Sequence, residues 1–245
     1  MSKLFVTGTD TDVGKTVVMT LLTEALAEVI GPVFPYKPIE TGTAEEYGPT
    51  DVDTYRLVIE QAPYPHRTYS FSEPHSPHYA ARIDHTPIRI DKIEEDLARL
   101  EAEYREVLIE GAGGLFVPLR DEGGYIIDLI QTLEAGVVLV ASSKLGTINH
   151  TLLSVHALRD YGIPIIGIML TYHNHKNPQE QDNIRFIEQA TSLPILGTVP
   201  YREDILEILQ TPSGRKQLRQ DWKIEECVSF LRRNKDGAKR VIRNK

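Results

Sequence analysis

The sequence has a single cysteine, Cys227, so no intrachain disulfide framework is open to it. With Val228 and Phe230 beside it in a helical pattern, that thiol reads as a packed apolar group rather than a nucleophile. No apolar run approaches the ~20 residues that cross a bilayer. The first residues enter a strand-like run without a signal peptide, so a soluble, unexported chain working in the reducing cytoplasm is expected, with no membrane partner. Positive charge is not in excess either: a net charge of -8 argues against general binding to a nucleic-acid backbone. The exception is 231–245, where Arg232, Arg233, Lys235, Lys239, Arg240, Arg243 and Lys245 face only Asp236. This stretch reads as a solvated, poorly ordered basic tail after a single domain over 1–230. No internal repeat marks a solenoid or propeller. No G-x-S-x-G elbow is present, and the run from His173 to His175 lacks partners at zinc spacing. His66, His75, His78 and His85 are scattered in the same way.

What is present fits one folded unit. The 245 residues are 41% hydrophobic and 25% charged, enough for one substantial core, and no Pro/Gly/Ser-rich linker divides them. Short apolar runs at 4–6, 32–37, 107–110, 137–141, 165–170 and 195–199 alternate with helical patterns at 16–29, 51–60, 149–159 and 179–190. A charged helix with Ile93, Leu97 and Leu100 at helical spacing precedes the run at 107–110, and 63–87 reads as a loop-rich stretch of prolines and histidines. Continuous apolar strands alternating with helices predict an α/β fold, a doubly wound, mostly parallel sheet flanked by helices. Ligands of such sheets sit outside the carboxyl ends of the strands, so residues just after each run are the ones to search.

The first of these positions holds GTDTDVGKT, Gly8 to Thr16, between the first strand and the first helix. Two glycines, a lysine and a threonine at this spacing form a phosphate loop of the P-loop NTPase type. Gly8 and Gly14 let backbone N–H groups and the helix N-terminus converge on one anion. Lys15 supplies a charge that can follow the β- and γ-phosphates, and the Thr16 hydroxyl is placed to ligate Mg2+. The motif implies a nucleotide triphosphate and leaves the reaction open.

Further segments narrow it. YKPIETG at 36–42, SEPHSPH at 72–78, IEGAGG at 109–114 and KLGTINH at 144–150 follow GTDTDVGKT in an order that resembles the dethiobiotin synthetases. That family uses ATP to join carbon dioxide to a vicinal diamine, 7,8-diaminononanoate, in biotin biosynthesis. The resemblance implies a carbamate and then a carbamic phosphate as intermediates, with ADP and phosphate released and Lys37 and Lys15 neutralising the charge that meets there. It implies nucleotide contacts from Asp12, Val13, Gly14, Lys15, Thr16 and Val17. Asp51 and Glu110 resemble the acidic Mg2+ partners that join Thr16. Asp53 competes with Asp51 as a helix-start acid, and a capping role competes at Glu110.

Substrate contacts are implied for Thr11, Lys37, Thr41 and Pro77, and for Gly111, Gly113 and Gly114, whose missing side chains let the backbone approach a ligand. The turn at Gly146, Thr147, Ile148 and Asn149 opens a helix and offers N–H groups to an anion. In the family it comes from the neighbouring subunit, which implies a homodimer. Lys144 either faces the site or pairs with an acid. At the base, the family's usual Asn falls on Thr171, leaving backbone groups around Val199, Pro200 and Tyr201; weaker selection for ATP over GTP or CTP than in an Asn-bearing relative is expected. A partitioning-type nucleotide-switch ATPase, acting through dimerisation and a protein partner, is the alternative. Such proteins carry an additional lysine early in the loop, where this sequence has only TDTDV. An amide-forming ligase of the cobyrinate type would need a glutaminase domain that this length does not hold.

Overall fold

The computed structural model describes residues 3–59 and 66–233. In chain order these form β1 (Lys3–Gly8), α1 (Lys15–Ile30), β2 (Val33–Thr41), α2 (Asp51–Tyr55), β3 (His66–Phe71), α3 (Pro77–Ile83), α4 (Ile90–Glu103) and β4 (Glu106–Gly114). Then come α5 (Ile126–Thr132), β5 (Ala135–Ser142), α6 (Thr147–Asp160), β6 (Ile165–His173), α7 (Pro178–Thr191), β7 (Ile195–Pro200), α8 (Ile205–Leu209) and α9 (Pro212–Leu218). The strands make one sheet in the order β3-β2-β4-β1-β5-β6-β7, and every pairing is parallel.

Helices cover both faces, which is why the strands read as unbroken apolar runs. Within β1, Leu4 and Val6 point into one core and Phe5 into the other, all fully buried. Each such side chain contributes roughly 1.5–3 kcal/mol relative to exposure. The central strands β1 and β4 carry Gly8 and Glu110 to the same end of the sheet, where α1 begins. That shared end is where the chemistry-bearing residues collect. No helix among the described residues is long and apolar enough to cross a membrane.

Several elements differ from the sequence expectation: α2 ends at Tyr55, short of 60, and α3 lies inside the stretch expected to be loop. β3 lies inside the stretch expected to be loop; it is an edge strand whose inward residues, Tyr69 and Phe71, alternate with polar ones and so show no apolar run. α6 starts at Thr147 rather than Asn149, capped by Gly146 at φ 95°. A helical stretch over 225–233 buries Leu231, so the packed body runs past the boundary drawn at 230 from charge alone. The rest of the expected basic tail, 234–245, lies outside the described residues.

Candidate nucleotide and cation site

The loop between β1 and α1 curls because Gly14, the N-cap of α1, takes φ 82°, a conformation L side chains resist. A Cβ at Gly14 would also come within 3.1 Å of Thr171 Cγ2. The loop is tied from beneath and from the side. Thr171 Oγ1 donates to the Val13 carbonyl at 2.6 Å, and Tyr172 Oη donates to the Asp12 carbonyl at 2.9 Å. Asp12 and Tyr172 both sit at φ 54°, so the tie joins two non-glycine residues held in left-handed backbone. Lys144 Nζ lies 4.1 Å from the centre of the Tyr172 ring, a cation–π contact that is neither of the two expected placements, an acid pair or a place in the main cleft.

Lys15 is buried, and its Nζ donates to the Asp10 carbonyl at 2.8 Å. Burial, then the neighbouring Lys37 ammonium, pulls its pKa down to about 8, although Glu110, Asp51 and Asp12 pull the other way. Beside it Thr16 Oγ1 lies 2.7 Å from Asp51 Oδ1 and 3.1 Å from Glu110 Oε1. Lys37, from the fifth position of β2, places Nζ 2.6 Å from Asp51 Oδ2, 2.7 Å from Glu110 Oε1 and 3.3 Å from the Gly111 carbonyl. Burial works against the Lys37 charge, but the Asp51 and Glu110 carboxylates outweigh it and hold the ammonium above its usual range. Asp51 is driven the opposite way: burial raises it, and Lys37 with Thr16 holds it below the usual carboxylate range. Burial dominates at Glu110 and lifts its pKa, with Lys37 and Tyr55 opposing.

These residues line a cleft of about 650 Å³. Thr11, Thr41, Pro77 and Gly113 face it as well. Several expected site residues do not line it, and Val13 borders a neighbouring cleft instead. Gly111 faces the core: a Cβ there would come 2.8 Å from Phe5 Cε1, so its small size serves packing, while its carbonyl still meets Lys37. Thr171 is buried beneath the loop with its hydroxyl committed to backbone carbonyls, so it props the loop instead of opening toward a base. Gly114 backs onto the Thr9 carbonyl.

Residues 146–149 are outside this cleft in their own chain; Thr147 borders a second one of about 260 Å³ on the other side of the loop. Val17 is half-buried against the core, and Val199 is buried at the end of β7. Pro200 is half-buried, and the exposed Tyr201 ring lies 6.0 Å from that of Tyr172. Glu110 caps no helix; its partners are side chains. Asp53 belongs to a capping box with Thr50 and pairs with Arg56, so it is Asp51 that reaches the cleft.

Sequence reasoning passed over Tyr55, Tyr172 and Glu40. Tyr55 Oη donates to Glu110 Oε2; burial, then the Glu110 and Asp51 charges, push that phenol well above its usual range, keeping it a donor. Glu40 accepts the Val52 N–H at 3.2 Å and pairs with Arg67, anchoring the first turn of α2 to β2. An aromatic in a helical pattern and an acid in a strand carry no spacing signal that distinguishes them from packing and surface residues.

The oxygens of Thr16, Asp51 and Glu110 suit a hard cation such as Mg2+, which prefers oxygen ligands and keeps several positions for phosphate and water. Among the described residues no group of three or more His, Cys, Asp or Glu is arranged to hold a metal.

A protein-family model described as an AAA domain matches residues 2–208. The ATP-dependent dethiobiotin synthetase BioD of Halalkalibacterium halodurans is 41% identical over 223 residues, 89% of this chain and 92% of that protein. BioD of Anoxybacillus flavithermus is 40% identical over 205 residues, 82% of this chain and 92% of its own. Among solved structures, a putative plasmid partition protein from Borrelia burgdorferi bound to AMPPNP aligns with TM-score 0.58 at 13% identity, covering 95% of this chain and 99% of that one. Cobyrinic acid a,c-diamide synthase from Mycobacterium smegmatis, with ADP and magnesium, aligns with TM-score 0.53 at 14% identity, covering 90% and 95%. Likeness at that identity concerns the fold, that of a P-loop NTPase; the sequence likeness, running through nearly the whole length of its relatives, places this chain in the dethiobiotin synthetase family.

Proposed function

We propose that the protein is an ATP-dependent cyclo-ligase that converts 7,8-diaminononanoate and carbon dioxide to dethiobiotin, with release of ADP and phosphate. The observation that carries this reading is Lys37, buried between Asp51 and Glu110 and beside the Thr16 hydroxyl, at the strand ends that border the phosphate loop. A phosphoryl acceptor held in the cleft would meet Lys37 and Lys15 from one side and the loop amides from the other.

The atoms balance in three steps. One amine nitrogen of the diamine attacks carbon dioxide and loses a proton, giving a carbamate. The carbamate oxygen takes the γ-phosphoryl group, and the bond to the ADP oxygen breaks. The second amine then attacks the carbamic phosphate carbon, loses its proton and expels phosphate as the ureido ring closes. Lys15 and Lys37 offset the charge that builds between two anions, the largest electrostatic demand of the sequence. Thr16, Asp51 and Glu110 would hold Mg2+, which would supply positive charge against the phosphates. Thr11, Thr41, Pro77 and Gly113 would orient the diamine so that its second amine faces the carbamic phosphate carbon.

The working unit in this reading is a homodimer, in which Gly146, Thr147, Ile148 and Asn149 of one subunit hold the carboxylate tail of the substrate bound by the other. Support comes from the surface beside that turn, where Leu145 is 97% exposed, with Leu153 and Phe116 also exposed. An apolar patch of this kind marks an association surface.

The test is product analysis by mass spectrometry after mixing the protein with MgATP, bicarbonate and the diamine. A product with the mass of the diamine plus carbon dioxide less water is expected, formed in step with ADP. Nucleotide hydrolysis that yields no cyclic urea and depends on a protein partner would favour the partitioning-type switch.

A further inference from the structure

Glu110 is surrounded by more donors than a cation site requires. Its Oε1 faces Lys37 Nζ at 2.7 Å and Thr16 Oγ1 at 3.1 Å, on the cleft side. Its Oε2 accepts from Tyr55 Oη, on the side of α2. Tyr55 is fully buried, and it stands four residues after Asp51 in the same helix, so both side chains leave one helical face. The five residues of α2 therefore present a carboxylate to the cation position with the first residue and grip the opposite carboxylate with the last. The Thr50–Asp53 capping box and the Glu40 contact to Val52 N–H fix where that helix starts. Both devices set the Asp51 and Tyr55 positions together.

We infer that Tyr55 is a positioning residue for the cation site: its hydroxyl holds Glu110 so that only Oε1 is offered beside Thr16 and Asp51. This rests on the reading that Thr16, Asp51 and Glu110 hold the cation. The physical reason is coordination geometry. Mg2+ demands near-octahedral oxygen ligands, and a carboxylate that binds through both oxygens takes two cramped positions that phosphate and water would otherwise fill. A hydrogen bond to the outer oxygen removes that option and holds the ligand's orientation, the role that groups behind metal ligands commonly play. Without the phenol, Oε2 is a buried charged oxygen short of a donor, and the carboxylate turns to satisfy it.

The experiment compares Mn2+ binding to the wild-type and Tyr55→Phe proteins, each saturated with a non-hydrolysable ATP analogue, by the paramagnetic resonance signal of free Mn2+. Phenylalanine keeps the ring that packs there, and bound nucleotide stabilises the fold by mass action. We expect the Mn2+ dissociation constant to rise about tenfold or more, with analogue affinity in EDTA unchanged. Glu110→Gln provides the second measurement: in a double-mutant cycle the two losses should be strongly non-additive, because one group acts through the other. Mn2+ affinity within about twofold of wild type in Tyr55→Phe, or full additivity with Glu110→Gln, would overturn the inference. Wild-type protein that binds the analogue but no Mn2+ would instead remove the cation reading beneath it.

Discussion

Lys37 and Glu110 show how much of this site depends on single charges. The Lys37 ammonium is the only group within 2.7 Å of both Asp51 and Glu110 among the described contacts, so it neutralises two carboxylates at once. Removing one partner of a buried ion pair costs about 3–5 kcal/mol, because the remaining charge stays desolvated. Lys37→Ala should therefore melt earlier than wild type, and MgATP should restore part of the loss by placing positive charge near the same carboxylates. Turnover, measured as dethiobiotin formed under saturating MgATP, should fall at least about a hundredfold in Lys37→Ala and in Glu110→Ala. Near-normal turnover in either folded variant would strip that residue of its assigned role. Both positions stood out in the sequence because each closes an apolar run, 32–37 or 107–110, and lies in a segment that resembles the dethiobiotin synthetases. Gly111 was not: a glycine serving a ligand and one making room for Phe5 look identical until the strand face is known.

At the scale of elements, α2 separates two acids that the sequence leaves in competition. Asp53 accepts from Thr50 N and its hydroxyl and pairs with Arg56, while Asp51 meets Thr16 and Lys37. Asp53→Ala should cost on the order of 1 kcal/mol of stability through the lost cap, read from urea unfolding, and leave Mn2+ affinity close to wild type. Asp51→Asn should weaken Mn2+ binding with a much smaller effect on the cap. The reverse pattern would exchange their roles. The strands with unbroken apolar runs and the loop before α1 could be read in advance, since sheet burial on both faces writes itself into consecutive positions. β3 could not, because an edge strand is covered unevenly and its pattern, HRTYSF, turns Tyr69 and Phe71 to the core between polar residues. The helices α3 and α5 are too short, at seven residues each, to show a helical period. Tyr55 and Glu40 draw their importance from contacts across 55 and 12 positions of chain, a relation that only the folded arrangement creates.

For the molecule as a whole, the junction of β6 and α7 links stability to pH. His173 is buried there; Nδ1 lies 3.0 Å from Glu180 Oε2 and Nε2 lies 3.3 Å from Gln181 Nε2, with the His175 ring 4.5 Å away. A neutral imidazole fits these partners, donating from Nδ1 and accepting at Nε2. Burial, then His175, lowers its pKa below the ordinary 6.5 in spite of Glu180. The unfolded chain therefore takes up the proton first as pH falls, and the equilibrium shifts toward unfolding. This contribution to stability is fully present above about 6.5 and is lost as the pH drops through the lower value of the folded imidazole. Glu180 is held below its usual range, chiefly by the Asn174 N–H and Asn177 against the opposing effect of burial, so it adds a loss in the same direction at lower pH. Urea midpoints can be followed by the fluorescence of the single tryptophan, Trp222, which packs over Gly197 in β7. They should decline between about pH 7 and pH 5. His173→Gln should flatten that portion of the profile while keeping the steeper fall at more acid pH, because the carboxylates that titrate there remain. An unaltered slope in the variant would place the titrating group elsewhere in the fold.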